Sequence, residues 1–363
     1  MSHAAAPERF DVVVIGAGQA GLAIGYNLAR AGRRFLIVDA ADSIGATWRS
    51  RWNSLVLFTP RRFDHLPGLA FPGAPDGYPT RDEVVAYLER YVATFVLPVQ
   101  LRSAVRSLAL DAGRFVVSLA DRHIEADQVV VATGPFQVPR VPALARELAP
   151  DLFQVHSARY GHPGDIPGTT ALVVGGGNSG LQIAEELAAT RTVHLAVGSR
   201  QTALPQAVLG RDIFWWLTKT HLLTQTVETR VGRWMQQRDA IIGSSLRQMR
   251  RCGVEVRPRA VGASGRTVRF EDGSTLDVDA VIWATGYRGD YSWITPPVAD
   301  PNGHVRHRRG VTGVPGLYFI GLPWQHTRGS ALLGWVKDDA AFIAGQIETV
   351  RRVREGLSRR IPR

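Results

Sequence analysis

The sequence predicts an α/β fold made of two doubly wound parallel units, the second inserted into the first. Two glycine-rich segments carry this prediction, because each lies between a short apolar run and a helical pattern. Their glycines are Gly16, Gly18 and Gly21 in GAGQAG, and Gly175, Gly177 and Gly180 in GGGNSG. In a Rossmann-like unit the first glycine makes a tight turn, the second lets the backbone approach a pyrophosphate, and the third lets the helix pack on the strand. One such segment is weak support, whereas two in the same setting indicate a chain that binds two dinucleotides.

The residues after each glycine segment predict which dinucleotide it binds. Asp39 ends the second apolar run, FLIVDA, where a carboxylate accepts a hydrogen bond from a ribose hydroxyl. The matching position after the second segment is Gly198, and Ser199 and Arg200 follow it. An acid there would repel a 2′-phosphate, whereas a neutral pair with an arginine would hold one. The first site is therefore predicted to bind FAD or NAD and the second NADPH, as in a flavoprotein that NADPH reduces.

Composition excludes several other classes of protein. Lysine and arginine number 43 against 32 acids, but they are spread along the chain and do not form the stripe typical of nucleic-acid binding. No apolar stretch reaches about 20 residues, the length of a membrane span. The single cysteine, Cys252, excludes a relay through two thiols, so we expect a cytoplasmic protein in which Cys252 is buried. The ten histidines lack a metal-binding spacing such as HxxxH, which predicts no metal site.

The alternation of apolar runs and helical patterns predicts how the chain is divided. The first part of the FAD unit is predicted at 1–167 and the NADPH unit at 168–287. The rest of the FAD unit, with a C-terminal helix, is predicted at 288–363. An amphipathic helix is predicted over 81–95, followed by a small antiparallel meander. The NADPH unit carries a helical insertion at 204–251, whose aromatic residues are expected in the core rather than in a channel or on a membrane. Substrate specificity is expected to depend on this insertion and on the loop 47–80.

Seven motifs between residues 16 and 329 carry a resemblance that covers roughly residues 10–348. They are GAGQAG, GATWRSRW, VVVATG, HSARY, GGGNSG, WATGY and YFIGLPWQHTRG. Together they resemble the flavin-containing monooxygenases, the class B group that includes Baeyer–Villiger enzymes and the plant auxin-forming enzymes. The identifying motif of that family, FxGxxxH with a following aromatic, is present only in its second half, with His156, Ser157 and Tyr160, because Pro150 and Leu152 stand at its F and G positions. The stretch SLVLFTPRRF resembles the plant auxin-forming branch, which has a Leu-x-x-Pro stretch in this region.

The resemblance implies an oxidoreductase that uses FAD and NADPH. NADPH would reduce the flavin, and the reduced flavin would form a C4a-peroxyflavin with dioxygen that oxygenates a small organic substrate at a heteroatom or at a carbonyl or 2-oxo acid carbon. The protein would orient the reactants and exclude water. Trp48 and Arg49 match the flavin-contacting Gly-Gly-x-Trp element of the family, although Ala46 replaces its second glycine. Asn178 and Ser179, inside the second glycine segment, are predicted beside the pyrophosphate or the nicotinamide ribose.

The segment GLPWQHTRGSALLG supplies the other residues predicted to lie at the flavin. Gly321 would allow the backbone to approach the ring. His326 and Arg328 are the candidate catalytic residues, placed to orient an acidic substrate or the peroxide. A helix N-terminus facing the flavin N1–C2 edge would stabilise the reduced anion. The residues predicted to open that helix are Ser330, Ala331 and Leu332.

Two alternatives would use the same glycine segments. A non-oxygenating NADPH-dependent flavin reductase or dehydrogenase would pass its electrons to another acceptor. A non-catalytic redox sensor would bind the dinucleotides and report through a partner. For the monooxygenase, the expected partners are a small organic substrate and dioxygen, without nucleic acid or an integral membrane segment, and a homodimer is left open.

Overall fold

A computed structural model describes residues 8–199, 202–238, 240–301 and 303–358, with side chains described up to residue 352. Within these residues, the helices are α1 (Gln19–Arg30), α2 (Ala46–Arg49), α3 (Arg81–Phe95), α4 (Asn178–Ala188), α5 (Ile213–Lys219), α6 (Arg230–Gln237), α7 (Leu246–Arg251) and α8 (Val336–Ser358). The strands of the first half are β1 (Glu8–Ile15), β2 (Phe35–Val38), β3 (Val99–Gln100), β4 (Ser107–Asp111), β5 (Arg114–Ser118), β6 (His123–Val131), β7 (Val138–Pro139), β8 (Phe153–His156) and β9 (Thr170–Val174). The later strands are β10 (Thr192–Ala196), β11 (Ala203–Leu204), β12 (Ala207–Val208), β13 (Arg211–Asp212), β14 (Ile241–Ile242), β15 (Glu255–Arg257), β16 (Ala260–Ser264), β17 (Thr267–Phe270), β18 (Thr275–Asp277), β19 (Ala280–Trp283), β20 (Tyr287–Arg288), β21 (His307–Arg308), β22 (Val311–Thr312) and β23 (Leu317–Phe319).

The first glycine segment belongs to a sheet of nine strands in the order β21-β22-β23-β6-β1-β2-β3, with β5 paired to β6 and β4 paired to β5. Strand β1 is parallel to β2 and β6, and β23 is parallel to β6. The chain therefore returns to this sheet after residue 300, as the predicted insertion requires. Strands β4, β5 and β6 form the predicted antiparallel meander. The α/β prediction is confirmed.

The second glycine segment belongs to a separate five-stranded sheet in the order β15-β10-β9-β19-β8, with every pair parallel. Strand β8 lies upstream of residue 168, so this sheet takes in residues that the predicted division assigned to the FAD unit. The predicted helical insertion at 204–251 is more broken than expected. Three two-residue strands precede the short helices α5 and α6, and a fourth precedes α7; β11 pairs with β14 and β12 with β13.

Two crossings of the chain between the sheets run side by side. Strands β7 and β20 form an antiparallel ribbon, and the Arg140 N–H donates to the Gly286 carbonyl over 2.9 Å. The Thr285 hydroxyl also donates to the Arg140 carbonyl. This ribbon holds together the two segments that connect the sheets.

Helix α3 confirms the prediction for 81–95, and its N-terminus shows why it begins there. The Thr80 hydroxyl accepts from the Glu83 N–H, and the Glu83 carboxylate accepts from the Thr80 N–H, which is a capping box. Val84, Leu88 and Tyr91 are spaced along one face of the helix and are buried in the hydrophobic core beside the first sheet. The N-terminal cap of this segment and its buried face therefore both indicate the same helix.

The prediction that Cys252 is buried is wrong, because its side chain is exposed. It follows the short helix α7, on which Met249 is the buried residue, and the chain then turns at Gly253 with a φ of +82°. The Cys252 thiol lies 3.7 Å from Glu185 Oε1. A turn at this position points the side chain to solvent rather than into the sheet.

The aromatic residues of the insertion have mixed environments. Ile213 and Phe214 are buried, as expected, whereas Trp215 and Trp216 are half-buried and Trp234 is 56% exposed. Only part of this stretch is therefore core. Among the described residues, no helix is long and apolar enough to cross a membrane.

Candidate cofactor and active site

The first glycine turn joins the end of β1 to α1 and lies against the end of β6. Gly16 has a φ of +111°, and a Cβ there would lie 2.6 Å from the Ala132 carbonyl oxygen. A Cβ at Gly21 would lie 1.8 Å from the Gly16 carbonyl oxygen, so the helix and the turn are in direct contact. At Gly18, by contrast, a Cβ would meet nothing within 4 Å. The first and third glycines are thus required by the fold, and the second faces open space.

The second glycine turn repeats this geometry between β9 and α4. Gly175 has a φ of +123°, and a Cβ there would lie 2.2 Å from the Ala284 carbonyl oxygen. A Cβ at Gly180 would lie 1.8 Å from the Gly175 carbonyl oxygen, whereas at Gly177 nothing lies within 4 Å. Space at the N-terminus of a helix, beside free backbone N–H groups, is where a pyrophosphate binds. The residues at both turns therefore fit a dinucleotide.

Asp39 lies beside the first turn at the end of β2. Its Oδ2 accepts from the Ala17 N–H over 2.6 Å and its Oδ1 from the Ala41 N–H over 2.8 Å. These bonds fix the carboxylate, and each oxygen keeps a second lone pair for a ribose hydroxyl. The predicted position is therefore compatible with binding FAD.

At the second turn, the matching strand end lies beside an arginine. Gly198 and Ser199 follow β10 as predicted, and Arg200 lies outside the described residues. Arg259 donates to the Gly198 carbonyl, because the parallel neighbour β15 ends beside β10. We did not predict Arg259 from the sequence, although a basic residue just after the strand next to β10 is a usable signal. A guanidinium at this strand end favours a nucleotide with an additional phosphate.

The segment between β23 and α8 contacts the first glycine turn. Gly321 has a φ of +82°, and a Cβ there would lie 2.8 Å from the Ala20 Cβ. The Gln19 side-chain amide, at the start of α1, donates to the Ala331 carbonyl over 2.9 Å. This segment therefore lies beside the predicted flavin site.

The predicted helix start at residues 330–332 needs correction. The residues Arg328–Ala331 form a single 3₁₀ turn capped by Thr327, Leu332 is extended, and the long helix α8 begins only at Val336. Ser330 is buried, and its hydroxyl accepts from the His326 and Thr327 N–H groups over 3.0 and 3.1 Å. A Cβ at Gly334 would lie 1.5 Å from the Phe63 carbonyl oxygen. This close approach to the loop at residue 63 separates the 3₁₀ turn from the helix.

The two candidate catalytic residues both contact the insertion. Arg328 donates to the Ala240 carbonyl over 2.7 Å, and the His326 carbonyl accepts from the Val227 N–H over 2.8 Å. Burial and then Arg309 lower the pKa of His326, so its imidazole is neutral at pH 7. These contacts give both residues a role in holding the insertion, and their catalytic role stays a prediction.

The other predicted contacts also have partners within the protein. Trp48 packs against the core of the first sheet, and Arg49 pairs with Glu89 of α3. Asn178 Oδ1 accepts from the Ile242 N–H over 3.3 Å, which ties the second glycine turn to the insertion. Ser179 follows it in the first turn of α4.

An aromatic cover, made of Phe58, Phe63, Phe214 and Trp335, joins three separate segments of the chain. The ring centroids of Phe58 and Phe214 are 5.9 Å apart, those of Phe214 and Trp335 5.6 Å, and those of Phe63 and Trp335 5.7 Å. Leu332 packs on the same cluster. The insertion therefore places an apolar layer on the segment that lies beside the first glycine turn.

A buried acid, which we did not predict, lies next to this cover. Asp64 has no exposed surface, and the Thr59 hydroxyl lies 2.6 and 2.8 Å from its two carboxyl oxygens. Burial raises the pKa of Asp64 from 3.8 to about 7, against the opposing effects of Thr59 and Arg61. No sequence signal marks it, because an acid in a loop rich in proline and arginine is usually exposed.

Arg51 joins the loop after α2 to the ribbon between the sheets. Its guanidinium carbon lies 4.4 Å from the Phe136 ring centroid and 5.3 Å from that of Tyr287, and its Nη1 donates to the Tyr287 hydroxyl over 2.6 Å. His156 contacts the same tyrosine ring. Its Nε2 donates to the Gly286 carbonyl, and its Nδ1 accepts from the Ala158 N–H. His156 therefore has the partners of a structural histidine at the crossing.

The Arg51→Ala variant should lower the free energy of unfolding by about 1–2 kcal/mol, because it removes a cation–π sandwich and a hydrogen bond. Thermal unfolding of the FAD-loaded protein measures this change. Arg90→Ala, which removes an exposed arginine of α3, is the matched control. Equal melting temperatures for the two variants would contradict the role of Arg51 at the crossing.

Among the described residues, no group of three or more histidines, cysteines and acids could hold a metal ion. Two glycine turns, with an acid at one strand end and an arginine at the other, are typical of a flavoprotein oxidoreductase with two dinucleotide sites.

The chain belongs to the family described as pyridine nucleotide-disulphide oxidoreductases, whose model matches residues 13–321, and within it to the flavin-containing monooxygenases. Its cofactors are FAD and NADPH. A lone cysteine cannot form the internal thiol pair that the family description refers to.

Three relatives show the range of similarity. An uncharacterized CzcO-like oxidoreductase of Geobacillus kaustophilus is 46% identical over 93% of this chain and 98% of that protein. The indole-3-pyruvate monooxygenase YUCCA1 of Oryza sativa subsp. japonica is 28% identical over 94% of this chain and 92% of that protein. The solved structure of a flavin-containing monooxygenase from Stenotrophomonas maltophilia superposes with a TM-score of 0.80 at 30% identity, covering 94% of this chain and 99% of that one.

Proposed function

We propose that this oxidoreductase is an NADPH-dependent FAD monooxygenase that oxygenates a small organic substrate at a heteroatom or at a carbonyl or 2-oxo acid carbon. The observation that carries the proposal is the aromatic cover. A flavin reductase needs both dinucleotide sites but has no need to keep water from the flavin, whereas an oxygenase must exclude water while dioxygen is activated. The activity named for the rice relative, which acts on a 2-oxo acid, supports the same class of reaction.

The residues around the two sites would share this work. The open spaces at Gly18 and Gly177 accommodate the two pyrophosphates, and Asp39 accepts from the FAD ribose. FAD held at the first turn would supply the redox chemistry, accepting hydride from NADPH and activating dioxygen. Ser199, with Arg200 and Arg259, would hold the 2′-phosphate of NADPH. The remaining contribution of the chain is to orient the substrate and to keep the reacting edge dry.

The aromatic cover also indicates a class of substrate. Its rings favour a flat or branched apolar group, held by contact area rather than by hydrogen bonds. Asp64, buried and with a pKa of about 7, is a group beside the cover that can hold a proton near neutral pH. We propose an apolar, small-molecule substrate and a cytoplasmic location, the latter supported by the single cysteine.

The proposal predicts that oxygen consumption is coupled to substrate, and that the Phe58→Ala variant loses part of this coupling. Phe58 is half-buried and stacks on Phe214, so its truncation should admit water and raise the share of NADPH electrons lost as hydrogen peroxide about threefold or more. Peroxide yield per NADPH oxidised, with a panel of apolar thioethers and ketones, measures this share. Phe58→Leu, which keeps an apolar side chain, is the matched control.

Rapid mixing separates the monooxygenase from the non-oxygenating flavin reductase. The protein, reduced anaerobically by NADPH, is mixed with oxygenated buffer while its absorbance is followed. A transient near-ultraviolet species before the return of the oxidised spectrum supports the monooxygenase. A direct return with one peroxide per NADPH, with and without every substrate tested, would sink the proposal and favour the reductase.

A further inference from the structure

A cleft of about 770 Å³ lies between the β21–β22 hairpin, helix α8, the insertion and His326. Its lining includes no residue of either glycine turn and does not include Asp39. A dinucleotide bound at either glycine turn is therefore not the ligand that this cleft would hold. Its position next to His326 brings it to the segment that contacts the first glycine turn.

The cleft is basic. Arg306, Arg308 and Arg309 all line it, and Glu228 of the insertion supplies a negative charge. Arg308 pairs with Glu228 over 3.0 Å, and Arg306 is exposed to solvent. Arg308 is paired with Glu228 and Arg309 with Asp339, so three positive charges stand against two negative ones, and the net charge still attracts an anion.

Arg309 is held in a fixed orientation. Its Nε donates to Asp339 Oδ1 over 3.1 Å, and its guanidinium carbon lies 4.3 Å from the Phe342 ring centroid. Asp339 is almost fully buried, so the ion pair is shielded from solvent. Arg309 Nη2 also donates to the Asp338 carbonyl over 3.4 Å, so the edge of the guanidinium that carries Nη1 is the one that would meet a carboxylate.

Two histidines complete the lining. The Gly310 N–H donates to His307 Nδ1 over 3.3 Å, so the neutral ring carries its proton on Nε2, which is a donor. His326 faces Arg309, Asp339 and Glu228, and burial together with Arg309 lowers its pKa. An arriving anion would favour the protonated form of His326, so binding should be accompanied by proton uptake.

We propose that this cleft binds a small organic acid, with its carboxylate on Arg306 and Arg309 and its apolar body against Phe342 and Val311. The site is separate from both dinucleotide sites, and it does not depend on whether the enzyme oxygenates. It is connected to the flavin side through hydrogen bonds between backbone and side chains. The His326 N–H donates to the Ser330 hydroxyl.

The connection continues from the 3₁₀ turn to the first glycine turn. Ala331, the neighbour of Ser330, accepts from the Gln19 side chain at the start of α1. A ligand that moves His326 should therefore change the surroundings of the bound FAD. The expected signature is a small shift in the flavin absorbance spectrum that saturates with the acid.

The test is calorimetric titration of the FAD-loaded protein with phenylacetate, with 2-phenylethanol as the uncharged analogue and inorganic phosphate as a second anion. Phenylacetate should bind to one site, take up protons at pH 7 and bind more tightly at pH 6 than at pH 8. Saturating NADP⁺ should leave its affinity unchanged. Equal binding of the uncharged analogue, phosphate binding as tight as that of phenylacetate, or competition by NADP⁺ would each overturn the proposal.

A pair of variants locates the site. Arg306→Gln should weaken phenylacetate binding about tenfold, the effect of losing one charge-assisted hydrogen bond. Because Arg306 is exposed, FAD content and melting temperature should be unchanged. Arg90→Gln removes the same charge from α3 and should bind as the parent does. Equal affinities for the two variants would show that phenylacetate does not bind in this cleft.

Discussion

The Gly177→Ala variant should be purified with its flavin in place and yet lose about a hundredfold in kcat/KM for NADPH. A methyl group at Gly177 meets no protein atom within 4 Å, so the fold accommodates it. It would occupy the space that the pyrophosphate needs, and about 2–3 kcal/mol of lost binding corresponds to this factor. Steady-state kinetics with varied NADPH, together with the flavin content of the purified protein, measures both parts of the result.

The same substitution at Gly18 should instead prevent the binding of FAD. Gly18→Ala should yield a folded but nearly colourless protein, because the methyl group enters the FAD pyrophosphate space at the first turn. Gly345→Ala is the matched control, since a Cβ there also meets nothing but the position lies in the middle of α8. A yellow Gly18→Ala variant beside a colourless Gly177→Ala variant would mean that the two cofactors are assigned to the wrong turns.

The second large effect is expected at Asp64. Its folded-state pKa, about 7, lies above the value of 3.8 expected in the unfolded chain, so the folded protein binds a proton more tightly. The stability contributed by this proton is present at low pH and is lost as the pH rises from about 4 to about 7. The total amounts to up to about 4 kcal/mol.

The Asp64→Asn variant should remove this pH dependence. An amide at this position is neutral at every pH and still accepts from the Thr59 hydroxyl. We expect the variant to be more stable than the parent above pH 7 and the difference to shrink as the pH falls toward 4. Denaturant unfolding at pH 5, 6, 7 and 8 measures it, with Asp121→Asn, an exposed position, as the control. Parallel stability curves for parent and variant would contradict a raised pKa at Asp64.

Local rules of chain geometry explain why both glycine turns could be predicted. Gly16 and Gly175 must have positive φ, and Gly21 and Gly180 touch the preceding turn, so the spacing of the glycines reflects the fold itself. The capping box of α3 is visible in the sequence for the same reason. Contacts of this kind join residues that are close in sequence, within a few residues or within one strand–turn–helix unit, so the local sequence pattern predicts them.

Contacts between distant segments could not be predicted in this way. The raised pKa of Asp64 arises from its burial in the folded chain, and the aromatic cover beside it is formed by three separate segments. The break in the helix before Val336 arises because Gly334 touches the loop at Phe63, far away in sequence. Arg259 reaches Gly198 through the pairing of β15 with β10, which the order of strands in the sheet decides.

The exposed position of Cys252 makes the protein suitable for site-specific labelling. As the single cysteine in the chain, it would carry one thiol-reactive dye without any change to the sequence. The dye would be attached after α7, on the side of the five-stranded sheet, while the flavin belongs to the other sheet. Partial desolvation and the nearby Glu185 raise the pKa of the thiol, so coupling should be faster at mildly alkaline pH. Energy transfer between flavin and dye would then report, without any substitution, whether the distance between the two sheets changes during turnover.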